Sequence, residues 1–123
     1  MHQISDSELI IMKIIWKHNG QAMYAQITEA LEGQGLDWKK NTILTFLSRL
    51  VEKQLLKIHK VGRRNDYIAI VDEEDYQTWQ TKSFVGKVYE GNVKGLVSTL
   101  VEQHLISSDE VEELRRFWDE KES

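Results

Sequence analysis

The chain contains no cysteine and no proline among its 123 residues. Without cysteine there can be no disulfide framework, no thiolate metal site and no cysteine nucleophile. Without proline, nothing in the sequence breaks a helix interior in the way that residue does. No apolar run approaches the ~20 residues that carry a helix across a bilayer. The start, Met1-His2-Gln3, lacks the basic-then-apolar pattern of a secretion signal. A soluble cytoplasmic protein with no membrane insertion is therefore expected. Catalytic signatures are equally scarce. His2, His18, His59 and His104 are scattered without metal-ligand spacing. There is no glycine-rich phosphate loop and no nucleophile elbow. The acids from Asp72 to Asp75 lack the glycine and spacing of a calcium loop. No enzymatic activity, metal or cofactor is expected.

What the chain does have is an uneven distribution of charge. Its formal net charge is −4, yet residues 39–64 hold Lys39, Lys40, Arg49, Lys53, Lys57, Lys60, Arg63 and Arg64 against the single acid Glu52. That segment carries +7, which leaves −11 for the rest. Positive charge gathered on one segment of an acidic chain fits a surface that meets a polyanion. A lysine-rich solvated face would show the same bias. So would an interaction module whose basic face docks an acidic protein, a reading that needs no paired copies.

The periodicity predicts helices first. Ser5 and Glu8 have capping-box spacing, and Leu9, Met12, Ile15 and Trp16 follow at three- and four-residue steps. Asn19-Gly20 ends that helix. Gln21 to Met23 is a short link with the character of a brief strand. A second helix is expected from Tyr24 to Leu31, with Gly33 and Gly35 in the loop after it. A third starts near Trp38 or Lys39. Its buried stripe is Ile43, Phe46, Leu47 and Leu50, and its other face carries Lys39, Asn41, Thr42, Thr45, Ser48 and Arg49. Leu56 to His59 then alternates as a half-buried strand does. Gly62 to Asn65 reads as a turn with Arg63 and Arg64 at its tip, and Tyr67 to Val71 as the return strand. Three helices followed by a basic-tipped hairpin is the order of a winged helix-turn-helix domain.

The remainder reads as three helices. The first begins in the acidic run and carries Tyr76, Trp79, Phe84, Val88 and Tyr89; Gly91-Asn92 breaks it. The second carries Val93, Leu96, Val97, Leu100 and Val101. The third, opened by a Ser107/Glu110 capping box, carries Val111, Leu114, Phe117 and Trp118. So little mass cannot enclose a core of its own. The apolar faces, Phe84, Val88, Leu96, Val97, Leu100, Val101, Leu114, Phe117 and Trp118, are therefore expected to meet a second copy of the chain. The fold class expected is mainly α with a small β-hairpin: a winged DNA-binding domain over 1–71 and a helical dimerisation domain over 72–123. Asn41, Thr42 and Thr45 are candidates for base contacts in the major groove, because Asn pairs with adenine and Thr offers a hydroxyl and a methyl. Lys39, Lys40, Arg49, Arg63 and Arg64, with Lys53 behind them, are candidates for phosphates. Arg49 also has Glu52 within reach at i,i+3.

The residues also resemble the penicillinase-repressor family of bacterial transcription regulators, the BlaI/MecI/CopY group. The resemblance rests on Glu8, Ile14-Ile15-Trp16, Asp37-Trp38, Thr42-Ile43, Thr45, Arg49-Leu50 and the basic turn, then Ser83-Phe84, Lys87-Val88-Tyr89, Gly91, Leu96-Val97, Val101-Glu102 and the run from Asp109 to Leu114. It implies a homodimeric repressor whose winged domains bind double-stranded DNA at an inverted-repeat operator, typically with TACA and TGTA half-sites. It also implies release through a sensor-linked protease that cuts within the dimerisation domain. Thr99-Leu100 stands where the family's scissile asparagine–phenylalanine pair does. The copper-responsive branch's cysteine-rich switch has no counterpart here. On the reading helix the family's lysine is Asn41 and its arginine or glutamine is Leu44, while Lys39-Lys40 replaces the serine-proline of the β-lactam repressors. An altered operator is the expectation.

Overall fold

The computed structural model describes residues 1–122. Among them are six helices and three short strands: α1 (Asp6–Lys17), β1 (Gln21–Met23), α2 (Tyr24–Gly33), α3 (Lys40–Glu52), β2 (Leu56–Val61), β3 (Arg64–Ala69), α4 (Glu73–Val88), α5 (Val93–Glu102) and α6 (Ser108–Glu122). The strands form one antiparallel sheet in the order β1-β3-β2. The chain divides into two compact units, Met1–Gln80 and Thr81–Ser123.

The first unit is a helix-turn-helix closed by a hairpin. The helix starts follow their sequence signals. Ser5 Oγ accepts the Glu8 amide at 3.1 Å while Glu8 Oε1 accepts the Ser5 amide at 2.8 Å, a reciprocal cap that leaves neither donor free. After α1 the chain turns through Asn19 (φ 59°) and Gly20 (φ 82°) into β1. The core between these elements is aliphatic: Ile11, Met12, Ile14, Ile15, Ile27, Leu31, Ile43, Leu47, Leu50, Leu55 and Leu56 are all buried. Each side chain of this kind contributes about 1.5–3 kcal/mol through its removal from water. Phe46 departs from the expected buried stripe. It is half-buried and meets Trp38 edge-on, the ring centroids 5.3 Å apart, so an aromatic pair covers the rim of α3 instead of its centre.

Glu8 does more than cap. Its side chain is 2 % exposed, and Oε1 also takes Lys53 Nζ at 2.9 Å, which ties α1 to the end of α3. Burial raises the carboxyl's pKa, but the hydrogen bonds from Lys53 and Ser5 together with the Lys53 charge more than reverse this and leave it below the usual carboxylate value. Lys53, read from the sequence as one of the phosphate cations, is therefore a structural counter-ion.

The hairpin also differs from expectation. The turn is only Gly62-Arg63, and β2 and β3 pair from Leu56↔Ala69 to Val61↔Arg64. Gly62 takes φ 63° at the first central position, as a II′ turn does. β2 thus runs on through Lys60 and Val61, and the return strand starts at Arg64 instead of Tyr67. The alternation fades because Lys57 to Val61 are all exposed: this arm projects beyond the core, so no face selects apolar side chains.

Asp72 Oδ1 accepts the Asp75 amide at 2.8 Å and opens α4, with Glu73, Glu74 and Asp75 in its first turn. Acids there suit the helix dipole. Tyr76 is buried, its ring 5.7 Å from Trp16 and 6.1 Å from Trp79. Trp16 Nε1 donates to the Val71 carbonyl at 2.9 Å. The first turns of α4 therefore belong to the packing of the first unit.

The second unit has a different character. Glu90 (φ 51°) and Gly91 (φ 84°) break the chain after α4, Asn92 caps α5, and the Ser107/Glu110 box opens α6 as its spacing predicts. No described residue of α5 or α6 is buried.

Candidate nucleic-acid interface

α3 is amphipathic in the strict sense that its two faces have opposite fates. Ile43, Leu47 and Leu50 are buried, while Lys39, Lys40, Asn41, Thr42, Thr45, Ser48 and Arg49 are exposed. The core fixes the rotation of the helix, and the rotation fixes which polar side chains face outward. Asn41, Thr42, Thr45 and Arg49 line one shallow cleft of about 340 Å³ with Phe46. The structure brings these four candidates together on one surface.

Their hydrogen-bond states differ. Thr45 Oγ1 donates to the Asn41 carbonyl at 2.8 Å. Its proton is committed, so towards a base it offers only oxygen lone pairs and a methyl. That restricts Thr45 to amino donors on adenine or cytosine and to the thymine methyl. Arg49 makes no ion pair with Glu52 or any other acid among the described residues. It is free to act as a cation. At the N-terminus of α3 the cap is Lys39, which offers no accepting side chain, and no acid stands in the first turn. The positive end of the helix and two lysines add together there, an arrangement that favours an incoming anion.

The wing cations divide. Arg63 occupies the turn, as predicted, and is exposed. Arg64 lies on β3, not at the tip, with Nε 3.1 Å from Asp66 Oδ1. Lys40, Arg63 and Arg64 nevertheless line one cleft of about 380 Å³. The residue sequence reading missed is Asp66, only 5 % exposed. A signal was present: residues two apart on a strand share a face, so an acid at 66 stands beside the cation at 64. Among the described residues no group of histidines and acids is arranged to hold a metal ion, and no helix is long and apolar enough to cross a membrane.

Comparison with known proteins agrees with this architecture. The family model of the penicillinase repressor matches residues 4–120. The chain belongs to the penicillinase-repressor family. That is a family of transcriptional repressors, not of enzymes. The chain is 36 % identical over 118 residues to the penicillinase repressor of Bacillus licheniformis, covering 96 % of this chain and 91 % of that one. It is 35 % identical over 120 residues to the methicillin resistance regulatory protein MecI of Staphylococcus aureus (strain N315), covering 98 % and 96 %. Among solved structures, the DNA-binding domain of the repressor BlaI is similar with a TM-score of 0.53 and 42 % identity, over 60 % of this chain and 88 % of that one. The monomeric form of Bacillus licheniformis BlaI in complex with the blaP half-operator is similar with a TM-score of 0.51 and 41 % identity, over 61 % and 89 %. Within the penicillinase-repressor family, then, the likeness to solved structures is to a winged domain, and the likeness in sequence extends through the C-terminal helices.

Proposed function

We propose that this chain is a transcriptional repressor that acts as a homodimer on an inverted-repeat operator in promoter DNA. Residues 1–71 read the duplex and 72–123 hold the two copies together. The observation that carries the reading is the exposed face of α3: Asn41, Thr42, Thr45 and Arg49 share one cleft on a helix whose opposite face is locked into the core. The likeness to a BlaI domain bound to a half-operator supports the same role. Asn41, Thr42 and Thr45 contact base edges, and Lys39, Lys40, Arg49, Arg63 and Arg64 contact phosphates. Such a target puts the protein in the cytoplasm. The exposed apolar side chains of α4 to α6 supply the dimer contact.

Derepression by a sensor-linked protease would act on Thr99-Leu100. Both residues are half-buried within α5, and Thr99 Oγ1 donates to the Gly95 carbonyl at 3.0 Å. Cleavage there requires α5 to unwind locally first, because a protease takes its substrate extended.

Base and phosphate roles separate by experiment. A duplex enriched from a random inverted-repeat library supplies the operator. On it Thr45→Ala should lose about 1–3 kcal/mol of discrimination at one position of each half-site, with little change on random DNA. Arg63→Ala should weaken operator and random duplex alike and make the salt dependence of log K shallower. Equal losses of Thr45→Ala on both duplexes, measured by fluorescence anisotropy, would remove the base-reading role. An affinity indifferent to salt would remove the phosphate assignments.

A further inference from the structure

The carboxylate of Asp66 is the unexplained charge of the winged unit. It is 5 % exposed on the central strand of the sheet. A buried carboxylate is costly to keep unless it is paired. Gln21 Nε2 donates to Oδ2 at 3.1 Å, but Oδ1 has no hydrogen-bond partner and meets only Arg64 Nε, at 3.1 Å. The pairing uses the inner edge of the guanidinium. The two terminal nitrogens of Arg64 have no protein partner among the described residues. Arg64 meanwhile lines the cleft that Lys40 and Arg63 also line, beside Tyr24 and Ala25 at the start of α2. A carboxylate that holds a guanidinium by Nε leaves its planar outer fork free for the bidentate recognition of a phosphate.

We infer that Asp66 is a positioning residue for DNA binding: it fixes Arg64 so that its outer fork takes a backbone phosphate of its own, beside the cations Lys40 and Arg63. Asp66 touches no DNA itself. The inference rests on the proposed operator binding and adds to it a residue whose sign is opposite to that expected of a DNA-binding group.

That opposition makes the test sharp. Asp66→Asn removes a negative charge next to the duplex. If only net charge mattered, binding would tighten. Release of a positioned arginine instead predicts weaker binding, about 3- to 10-fold, the scale of one net hydrogen bond. It also predicts that the slope of log K against log salt falls by about 0.9 per protomer, because each protomer then neutralises one phosphate fewer. Arg64→Lys is the companion variant. It keeps a counter-charge for Asp66, and so the fold, but cannot grip Asp66 and phosphate through opposite edges of one plane. It should match Asp66→Asn in affinity and slope, and the double variant should be no worse than either alone. Thermal melts of each variant monitor folding.

Unchanged or tighter binding by Asp66→Asn, or wild-type affinity and slope for Arg64→Lys, overturns the inference while wild-type operator binding stands. A wild-type chain that binds no duplex at low salt removes the Arg64 phosphate contact together with the proposed function.

Discussion

Replacing Val97 and Phe117 together by aspartate should turn the proposed dimer into a monomer and weaken binding to a full inverted repeat by about 100-fold or more, while binding to a single half-site changes little. The reasoning starts from what α5 and α6 leave in water. Phe117 is 57 % exposed and Trp118 65 %, and Val97, Val101 and Leu114 are each near one-half. Their sequence spacing sets them along single helix faces, in a unit where α5 and α6 contribute no buried residue. A lone apolar side chain on a surface needs no explanation, but several exposed along one helix face mark an interaction face. Burial of each large side chain against a second copy contributes about 1.5–3 kcal/mol. Aspartate at two such positions removes that contribution from both copies at once and adds four charges to the seam. The effect on DNA follows from linkage of the two heads. A second half-site met by a tethered partner is bound at an effective concentration far above that of the free protein, which commonly multiplies affinity by about 10²–10⁴. Sedimentation velocity reads the mass, and anisotropy on full and half operators reads the affinity. A variant that stays dimeric would remove Val97 and Phe117 from the seam, and a monomer that holds the full operator as tightly as the parent would sink the reading of paired heads.

How far the sequence announced this molecule depends on the kind of signal. Caps were legible because they are local: Ser5/Glu8 and Ser107/Glu110 each satisfy two amides within four residues. The buried stripe of α3 was legible because a hydrophobic core imposes period 3.6 on any helix it holds. The same stripe made the exposed polar face legible by subtraction. The hairpin was only half legible. Its turn was clear from Gly62, but its register was not, since Lys57 to Val61 have no buried face to enforce alternation. The resulting shift moved Arg64 off the tip and onto β3. The partnering of charges was the least legible feature. Lys53 and Glu8 lie 45 residues apart, as do Gln21 and Asp66, and no local pattern relates them. Of the five cations among the candidate DNA-binding residues, Lys39, Lys40, Arg49 and Arg63 have no ion pair among the described residues, and Arg64 has one, with Asp66.

Lys53→Ala should destabilise the winged unit by about 2 kcal/mol near neutral pH, and the deficit should shrink as the solution is made acidic. The lysine matters because of what it leaves behind. Glu8 is 2 % exposed and its Oε2 has no hydrogen-bond partner, so Oε1 carries the pairing of the whole carboxylate. Removal of one member of a buried pair costs about 3–5 kcal/mol; the Lys53 side chain is 30 % exposed, so water reaching the site reduces this to the smaller figure. In the parent chain the Glu8 carboxyl titrates below the ordinary range of a glutamate. A depressed folded-state pKa adds stability at pH above the unfolded value and loses it as pH falls through the folded one. Without Lys53 the largest influence left is burial, which acts the other way. The two Ser5 hydrogen bonds still lower the folded-state pKa, which now lies above the parent's, and the variant gains less stability than the parent as Glu8 ionises. The two stability curves therefore converge as the pH falls through the variant's and then the parent's Glu8 pKa, the last of it below the usual glutamate value of about 4.3. At neutral pH the melting temperature should fall by about 10 °C for a unit of this size. Glu8→Gln on the Lys53→Ala background should restore part of the loss, because glutamine keeps the capping geometry and carries no charge to strand. Parallel pH profiles, or no rescue by glutamine, would mean that Lys53 stabilises the end of α3 by packing alone.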